Sequence, residues 1–120
     1  MKQKILYLII IFFFLSTNSF SKNLKFTKII DLDKPWGSSF INNNELIITE
    51  KSGKIKIVNV KNRNTREINH NLNFLEYGQG GLLDIIYKDG FVWISYTEDR
   101  GNLKTSTSIA KAKFNRKKIF

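Results

Sequence analysis

The sequence predicts an all-β protein, and two observations support that prediction. Turn-forming Gly, Asn, Asp and Pro residues recur about every ten positions, and the segments between them are short and rich in β-branched residues. No stretch repeats apolar residues with the 3.6-residue period of a helix over three turns. With 42% hydrophobic and 25% charged residues, the composition is that of a folded chain rather than a disordered one.

Seven of the segments are predicted strands that follow one another through tight turns. The clearest is residues 54–60, in which Ile55 and Ile57 face one way and the neighbouring lysines the other. A looser alternation over residues 24–32 predicts one more extended segment before them. The seven strands are expected to begin at Trp36, Glu45, Lys54, Thr65, Leu82, Phe91 and Thr105.

The order of polarity along these strands predicts a β-propeller. Polarity rises from the first to the last of four strands, and the three strands from Leu82 repeat that order. The two series begin at Trp36 and Leu82, 46 residues apart, close to the about 40–50 residues of a propeller blade. Inner propeller strands are buried and outer strands more polar, so we expect one full blade and most of a second. A small β-sandwich also accommodates seven strands but does not explain the repeated order.

The first 21 residues have the pattern of a signal peptide that is removed on export. A cationic start at residues 1–4 is followed by an unbroken apolar run at residues 5–15 and then by small polar residues. Ser19 and Ser21 occupy the −3 and −1 positions of a cleavage site after Ser21. The rival interpretation is an uncleaved anchor, but the apolar run is shorter than the about 20 residues of a spanning helix. We therefore expect a periplasmic or secreted protein without a stable membrane span.

Residues 22–120 are expected to be the N-terminal fragment of a longer propeller domain. A ring of at least four blades needs roughly 160 residues, more than this segment contains. The absence of cysteine excludes disulfides, thiolate metal sites and a cysteine nucleophile. The net charge of +10 comes from scattered lysines, with one cluster at residues 116–118 and no aromatic reader motif beside it. A solvated basic surface, rather than a nucleic-acid site, is the expected consequence.

Four motifs resemble one enzyme family in order and in spacing. They are PWG at residues 35–37, ELIITEKSGKI at 45–55, GQGGLLD at 78–84 and WISYT at 93–97. Together they resemble the N-terminal part of the soluble quinoprotein glucose/sorbosone dehydrogenases, also called aldose sugar dehydrogenases. The resemblance implies a six-bladed periplasmic propeller that binds pyrroloquinoline quinone (PQQ) and calcium. It also implies a small-molecule sugar as substrate, oxidised at the anomeric carbon with hydride transfer to PQQ.

The resemblance further implies that the catalytic centre lies beyond Phe120. The family's catalytic histidine, its cationic residues and its calcium ligands have no counterparts in the four motifs. His70 falls in a polar outer strand and is not expected to be the base. We therefore expect no catalytic residue and no metal ligand in this chain, which alone should be inactive. The alternatives are a non-catalytic periplasmic propeller and a small β-sandwich that acts as a binding module.

Gln79 is the one site residue that the resemblance assigns to this chain. It corresponds to the family's active-site glutamine, in a loop that feeds the second blade and faces cofactor and sugar. Its glycine neighbours permit positive φ and close approach of the backbone to a ligand. The alternative is that the glycines only make a tight crossover and that Gln79 caps a backbone group. Trp36 and Trp93 are expected in the core, and Asp84 is expected to bind backbone.

Overall fold

A computed structural model describes residues 23–119, which contain eight strands and no helix. The predicted signal peptide over residues 1–21 therefore lies outside the described residues. The strands are β1 (Pro35–Asn42), β2 (Glu45–Glu50), β3 (Ile55–Asn59), β4 (Thr65–His70), β5 (Leu82–Lys88), β6 (Phe91–Asp99), β7 (Thr105–Lys113) and β8 (Lys118–Ile119).

The strands form two sheets in the predicted order. Strands β1 to β4 make an antiparallel meander, and β5 to β7 make a second one. We call these sheets blade 1 and blade 2. All seven predicted strands are found, but the further extended segment predicted at residues 24–32 is not a strand. Leu24, Phe26 and Ile29 in this segment are exposed and none of its residues is buried, so little burial stabilises pairing there.

The core lies between the two blades and consists almost entirely of branched aliphatic side chains. The alternation in β3 buries Ile55 and Ile57 as predicted. Burial of such a side chain stabilises the fold by about 1.5–3 kcal/mol. The buried cluster comprises Ile47, Ile55, Ile57, Ile68, Leu82, Ile85, Val92, Ile94 and Ile119.

The innermost strands of the two blades, β1 and β5, pack closely against each other. A Cβ atom on Gly37 would lie 2.6 Å from the Cα atom of Asp84, so only glycine allows this approach. Buried Thr49 joins the same two strands. Its Oγ1 accepts a hydrogen bond from the Gly37 amide at 3.0 Å and donates one to the Leu83 carbonyl. These contacts hold the start of β1 against the start of β5.

The last strand returns from blade 2 to blade 1. The two residues of β8 pair in parallel with β4, the outer strand of blade 1, and Ile119 is buried there. Arg116 precedes β8, and its guanidinium donates two hydrogen bonds, of 2.9 and 2.6 Å, to the Glu45 carboxylate. The sequence gives no signal for this strand, because two residues are too short for an alternation pattern.

Candidate functional site

One end of the two blades gathers the segments that could form a site. The start of β1, the β2–β3 turn, the residue 71–81 connector between the blades and the β6–β7 turn all lie there. We call this end the connector end. The opposite end carries the Asn-rich turns at residues 42–44 and 59–64, in which asparagine side chains accept hydrogen bonds from nearby backbone amides. The asparagine side chains at the opposite end therefore stabilise turns, whereas Gln79 lies at the connector end.

Gln79 occupies the tip of a tight turn in the connector. The Gly80 amide donates to the Tyr77 carbonyl at 2.7 Å, which closes a four-residue turn with Gln79 in its third position. Gly78, in the second position, has a φ of 55°, a conformation that favours glycine. Within residues 23–119 the Gln79 side chain is exposed and forms no hydrogen bond to the protein. This geometry does not fit a backbone-capping role.

The connector is fixed to both blades. From blade 1, the Lys51 ammonium donates to the Gly78 carbonyl, and Lys34 Nζ lies 3.2 Å from Glu76 Oε1. From blade 2, the Thr97 amide donates to the Gly81 carbonyl at 2.9 Å. Hydrogen bonds on both sides of the turn therefore hold Gln79 over the junction of the two blades.

The second positive-φ glycine of the connector lies at the crossover into blade 2. Gly81 has a φ of 147°, and a Cβ atom there would lie 2.2 Å from the Lys51 carbonyl oxygen. Gly80 has no positive φ, but a Cβ atom would lie 2.8 Å from Thr97 Oγ1. Glycine is therefore favoured at positions 78 and 81 by the positive φ, and at position 80 because a side chain would collide with Thr97.

A groove of about 530 Å³ runs along the connector end beside Gln79. We call it the Gln79 groove. Volume alone does not distinguish it, because grooves of about 600 and 560 Å³ lie at the turn over residues 42–44. None of the described residues that line the Gln79 groove is Asp, Glu, Lys, Arg or His. The lining includes Trp36, Tyr77, Gln79, Leu83, Thr97 and residues 105–107, which are Thr, Ser and Thr.

Trp36 lines this groove, and in the described part of the chain it does not take the core position that the sequence predicts. Its side chain is 48% exposed. The pairing of β1 with β2 shows the reason, because Trp36 and Gly37 together stand opposite the single residue Thr49. This is a β-bulge, which redirects a side chain out of the regular alternation. A bulge has no reliable signature in a single sequence, so alternation alone misplaces this residue.

Trp93, Asp84 and His70 do not line the Gln79 groove. Trp93 is half-buried on blade 2 and lies outside the buried cluster, with Lys111 Nζ 5.1 Å from its ring centre, so the core position predicted for it is not found either. The Asp84 carboxylate accepts a hydrogen bond from the Ile85 amide at 2.9 Å. His70 lies at the end of β4 and does not line the Gln79 groove. Both of its ring nitrogens face backbone groups, those of Gly53 and Leu72.

One carboxylate, that of Glu50, is buried, although no sequence pattern indicates it. Glu50 is fully buried, and its Oε1 accepts hydrogen bonds from Lys56 Nζ at 2.7 Å and from the Asp33 amide at 2.8 Å. The hydrogen bond from the Asp33 amide fixes the segment that leads into β1. Among residues 23–119, no group of three or more His, Cys, Asp or Glu residues is arranged to hold a metal ion. In the same part of the chain, no helix is long and apolar enough to cross a membrane.

Comparison with known proteins gives a clear family match. The sequence profile of the family described as Glucose / Sorbosone dehydrogenase matches residues 32–119. That range covers β1 to β8 and includes the connector and both bulged inner strands. No curated protein sequence matches the chain.

Solved structures with similar folds are sugar dehydrogenases. The apo form of the soluble aldose sugar dehydrogenase from Escherichia coli has a TM-score of 0.65 and 24% identity, over 73% of this chain and 28% of that one. The PQQ-bound aldose sugar dehydrogenase from Streptomyces coelicolor has a TM-score of 0.63 and 21% identity, over 72% and 26%. A glucose dehydrogenase structure has a TM-score of 0.70 and 21% identity, over 78% and 30%.

These likenesses confirm the predicted β-propeller fold, of which the chain forms about one blade and part of another. They favour the propeller over the β-sandwich alternative. The chain spans less than a third of the length of each of these three structures.

Proposed function

The chain belongs to the glucose/sorbosone dehydrogenase family, and we propose that it is part of an exported quinoprotein that oxidises aldose sugars at the anomeric carbon. The match over residues 32–119 is the observation that carries this proposal, because it covers nearly all of the described chain. In such a reaction the sugar gives a hydride to PQQ and a proton to a general base. We place that base, the calcium ligands and the cationic groups elsewhere in the complete protein, meaning the longer chain of which residues 22–120 are the proposed N-terminal part.

The Gln79 groove fits a sugar better than it fits the cofactor. PQQ carries three carboxylates, and such an anion needs charged or multiple hydrogen-bonding partners when it is bound. The described lining of the groove supplies aromatic rings, hydroxyls and one amide, without a cation. We therefore assign no step through PQQ to this groove. An aldose, which is neutral and rich in hydroxyls, matches this lining.

We assign Gln79 the role of a polar anchor in this site. A glutamine amide both donates and accepts hydrogen bonds, so it can bind a sugar hydroxyl either as a donor or as an acceptor. Its exposed position on a turn fixed by Lys51 and Thr97 supports this role. The resemblance also assigns Gln79 to cofactor binding, which requires PQQ to reach the rim of the groove at the turn.

The leader sequence supports export as part of the proposal. Cleavage after Ser21 would release a mature protein that begins at Lys22 in the periplasm. N-terminal sequencing of protein from the periplasmic fraction tests this point. Recovery of Met1 from the membrane fraction would contradict it.

The activity is tested by reconstituting the complete protein with PQQ and calcium. We expect glucose and other aldoses to reduce a dye acceptor, and the apoprotein without PQQ to leave the dye unchanged. The 120-residue chain alone, under the same conditions, should match a control without protein. Failure of the reconstituted complete protein across a panel of aldoses would overturn the proposed activity.

A further inference from the structure

We propose that Trp36 is a sugar-binding residue, whose indole forms the apolar wall against which a neutral aldose ring stacks in the Gln79 groove. The inference rests on the proposed function and names a second contact for the same substrate. It was not expected from the sequence, which predicts Trp36 in the core.

A β-bulge sets the direction of the Trp36 side chain. The bulge at Trp36 and Gly37 opposite Thr49 interrupts the alternation of β1. The next inner strand begins in the same way, because Leu83 and Asp84 stand together opposite Ser95. Bulges are enriched next to active sites, where they redirect side chains. Both bulges lie at the connector end, and one residue of each, Trp36 and Leu83, lines the groove.

The bulge is held rigidly from both blades. Gly37 donates its amide hydrogen to Thr49 Oγ1 at 3.0 Å, and its Cα packs against the Asp84 backbone. Thr49 is itself fully buried. A side chain projecting from such a fixed backbone is pre-organised, which reduces the ordering cost of binding a ligand.

The chemistry of the groove fits one ligand class. An aldose ring has an apolar face of C–H groups and a rim of hydroxyls. Trp36 and Tyr77 supply aromatic surface, while Gln79 supplies an amide. Thr97, Thr105 and Thr107, which share one face of blade 2, supply hydroxyls. A sugar acid or phosphate would find no cation among the described lining residues. The nearby cation Arg100, whose Nε donates to Ser106 Oγ at 3.2 Å, is already paired with the Glu98 carboxylate at 2.8 Å. The groove is therefore matched to a neutral aldose rather than to an anionic one.

The test uses Trp36→Ala and Trp36→Phe in the complete protein, with Phe40→Ala as a control. Phe40 lies on the same strand, is 60% exposed and does not line the Gln79 groove. We expect Trp36→Ala to raise KM for glucose about threefold to tenfold, the range typical of one aromatic contact, with a smaller change in kcat. Trp36→Phe should recover much of this loss, and Phe40→Ala should leave KM unchanged. An unchanged melting temperature in Trp36→Ala excludes a structural cause.

A second readout does not depend on turnover. In apoprotein labelled with 5-fluorotryptophan, the fluorine resonance that disappears in Trp36→Phe is that of Trp36. We expect glucose to shift this resonance saturably and glucuronate to have little effect on it. The resonance that disappears in Trp93→Phe should not move with either sugar. A glucose-dependent shift in a protein without dehydrogenase activity would support sugar binding by Trp36 and contradict the proposed function. If the enzyme is active but KM is normal in Trp36→Ala and glucose causes no shift, sugar binding by Trp36 is contradicted and the proposed function stands.

Discussion

His70 Nε2 lies 2.5 Å from the carbonyl oxygen of Gly53, which ties the end of β4 to the turn between β2 and β3. The other ring nitrogen, Nδ1, accepts a hydrogen bond from the Leu72 amide at 3.2 Å. Nδ1 therefore carries the lone pair, and Nε2 carries the proton that it donates to Gly53. The Phe74 ring packs on the imidazole at 5.9 Å between ring centres. Both nitrogens are used in holding the start of the connector, which leaves none for base catalysis.

Replacement of His70 by alanine should therefore lower stability and leave chemistry intact. Loss of two hydrogen bonds to backbone groups is expected to lower the free energy of unfolding by about 1–3 kcal/mol. Urea titration of the complete protein measures this change, with the exposed neighbour Asn69→Ala as the matched control. A large fall in kcat per folded molecule, without loss of stability, would identify His70 as a catalytic group instead.

The ion pair between Glu45 and Arg116 makes part of the stability dependent on pH. Hydrogen bonds from the Arg116 guanidinium, and then from Asn42, lower the pKa of Glu45 from 4.5 to about 2. A carboxylate with a depressed pKa in the folded state stabilises the fold above its unfolded pKa and loses that effect as pH falls toward 2. Because the Arg116 side chain is 46% exposed, solvent screening limits the contribution to about 1 kcal/mol or less.

Glu45→Gln should remove this dependence. The variant is expected to be less stable than the parent at pH 7, and the difference should shrink between pH 5 and pH 2. Unfolding free energies measured at several pH values give the comparison. A constant difference across that range would show that the pair does not titrate as expected.

Gly37→Ala should separate the two inner strands. The added Cβ atom would meet backbone atoms of Asp84 and Ile85 at 2.6–2.8 Å, and neither can move without shifting β5. Overpacking of this kind costs about 1–3 kcal/mol. Gly90→Ala is the contrasting case, since it has a φ of 78° with no heavy atom within 4 Å of the new Cβ. It should cost about 1 kcal/mol from backbone strain alone. Equal effects in the two variants would contradict the steric explanation.

The strand order was predictable from the sequence because each strand depends on local information. Alternation in segments such as residues 54–60 fixes which face is buried, and the Asn and Gly turns fix where strands end. The pairing of β8 with β4 was not predictable, because β8 has only two residues and its partner strand is distant in the sequence. The polarity order of the inner strands was only partly informative, since most of β1 is exposed in the described structure.

The site was less predictable than the fold. Gln79 is proposed as a site residue only on a family resemblance, because a glutamine between glycines has several structural explanations. The sequence predicts a core position for Trp36, since an aromatic residue in an apolar strand is most often buried and a bulge leaves no trace in the alternation. Tyr77 and the hydroxyls of Thr105 and Thr107 join the groove through tertiary packing, which local sequence patterns do not encode.

The sharpest remaining test concerns Gln79 itself. If its amide binds the sugar or the cofactor, Gln79→Ala in the complete protein should keep its melting temperature and lose catalytic efficiency. One lost hydrogen bond costs about 0.5–1.5 kcal/mol when neutral and more beside a developing charge, which corresponds to roughly a threefold to hundredfold fall in kcat/KM. Gly81→Ala is the stability control, because a Cβ there would lie 2.2 Å from the Lys51 carbonyl oxygen. Steady-state kinetics and thermal unfolding of both variants separate the two roles. Unchanged kcat/KM with a lower melting temperature in Gln79→Ala would make this residue part of the scaffold.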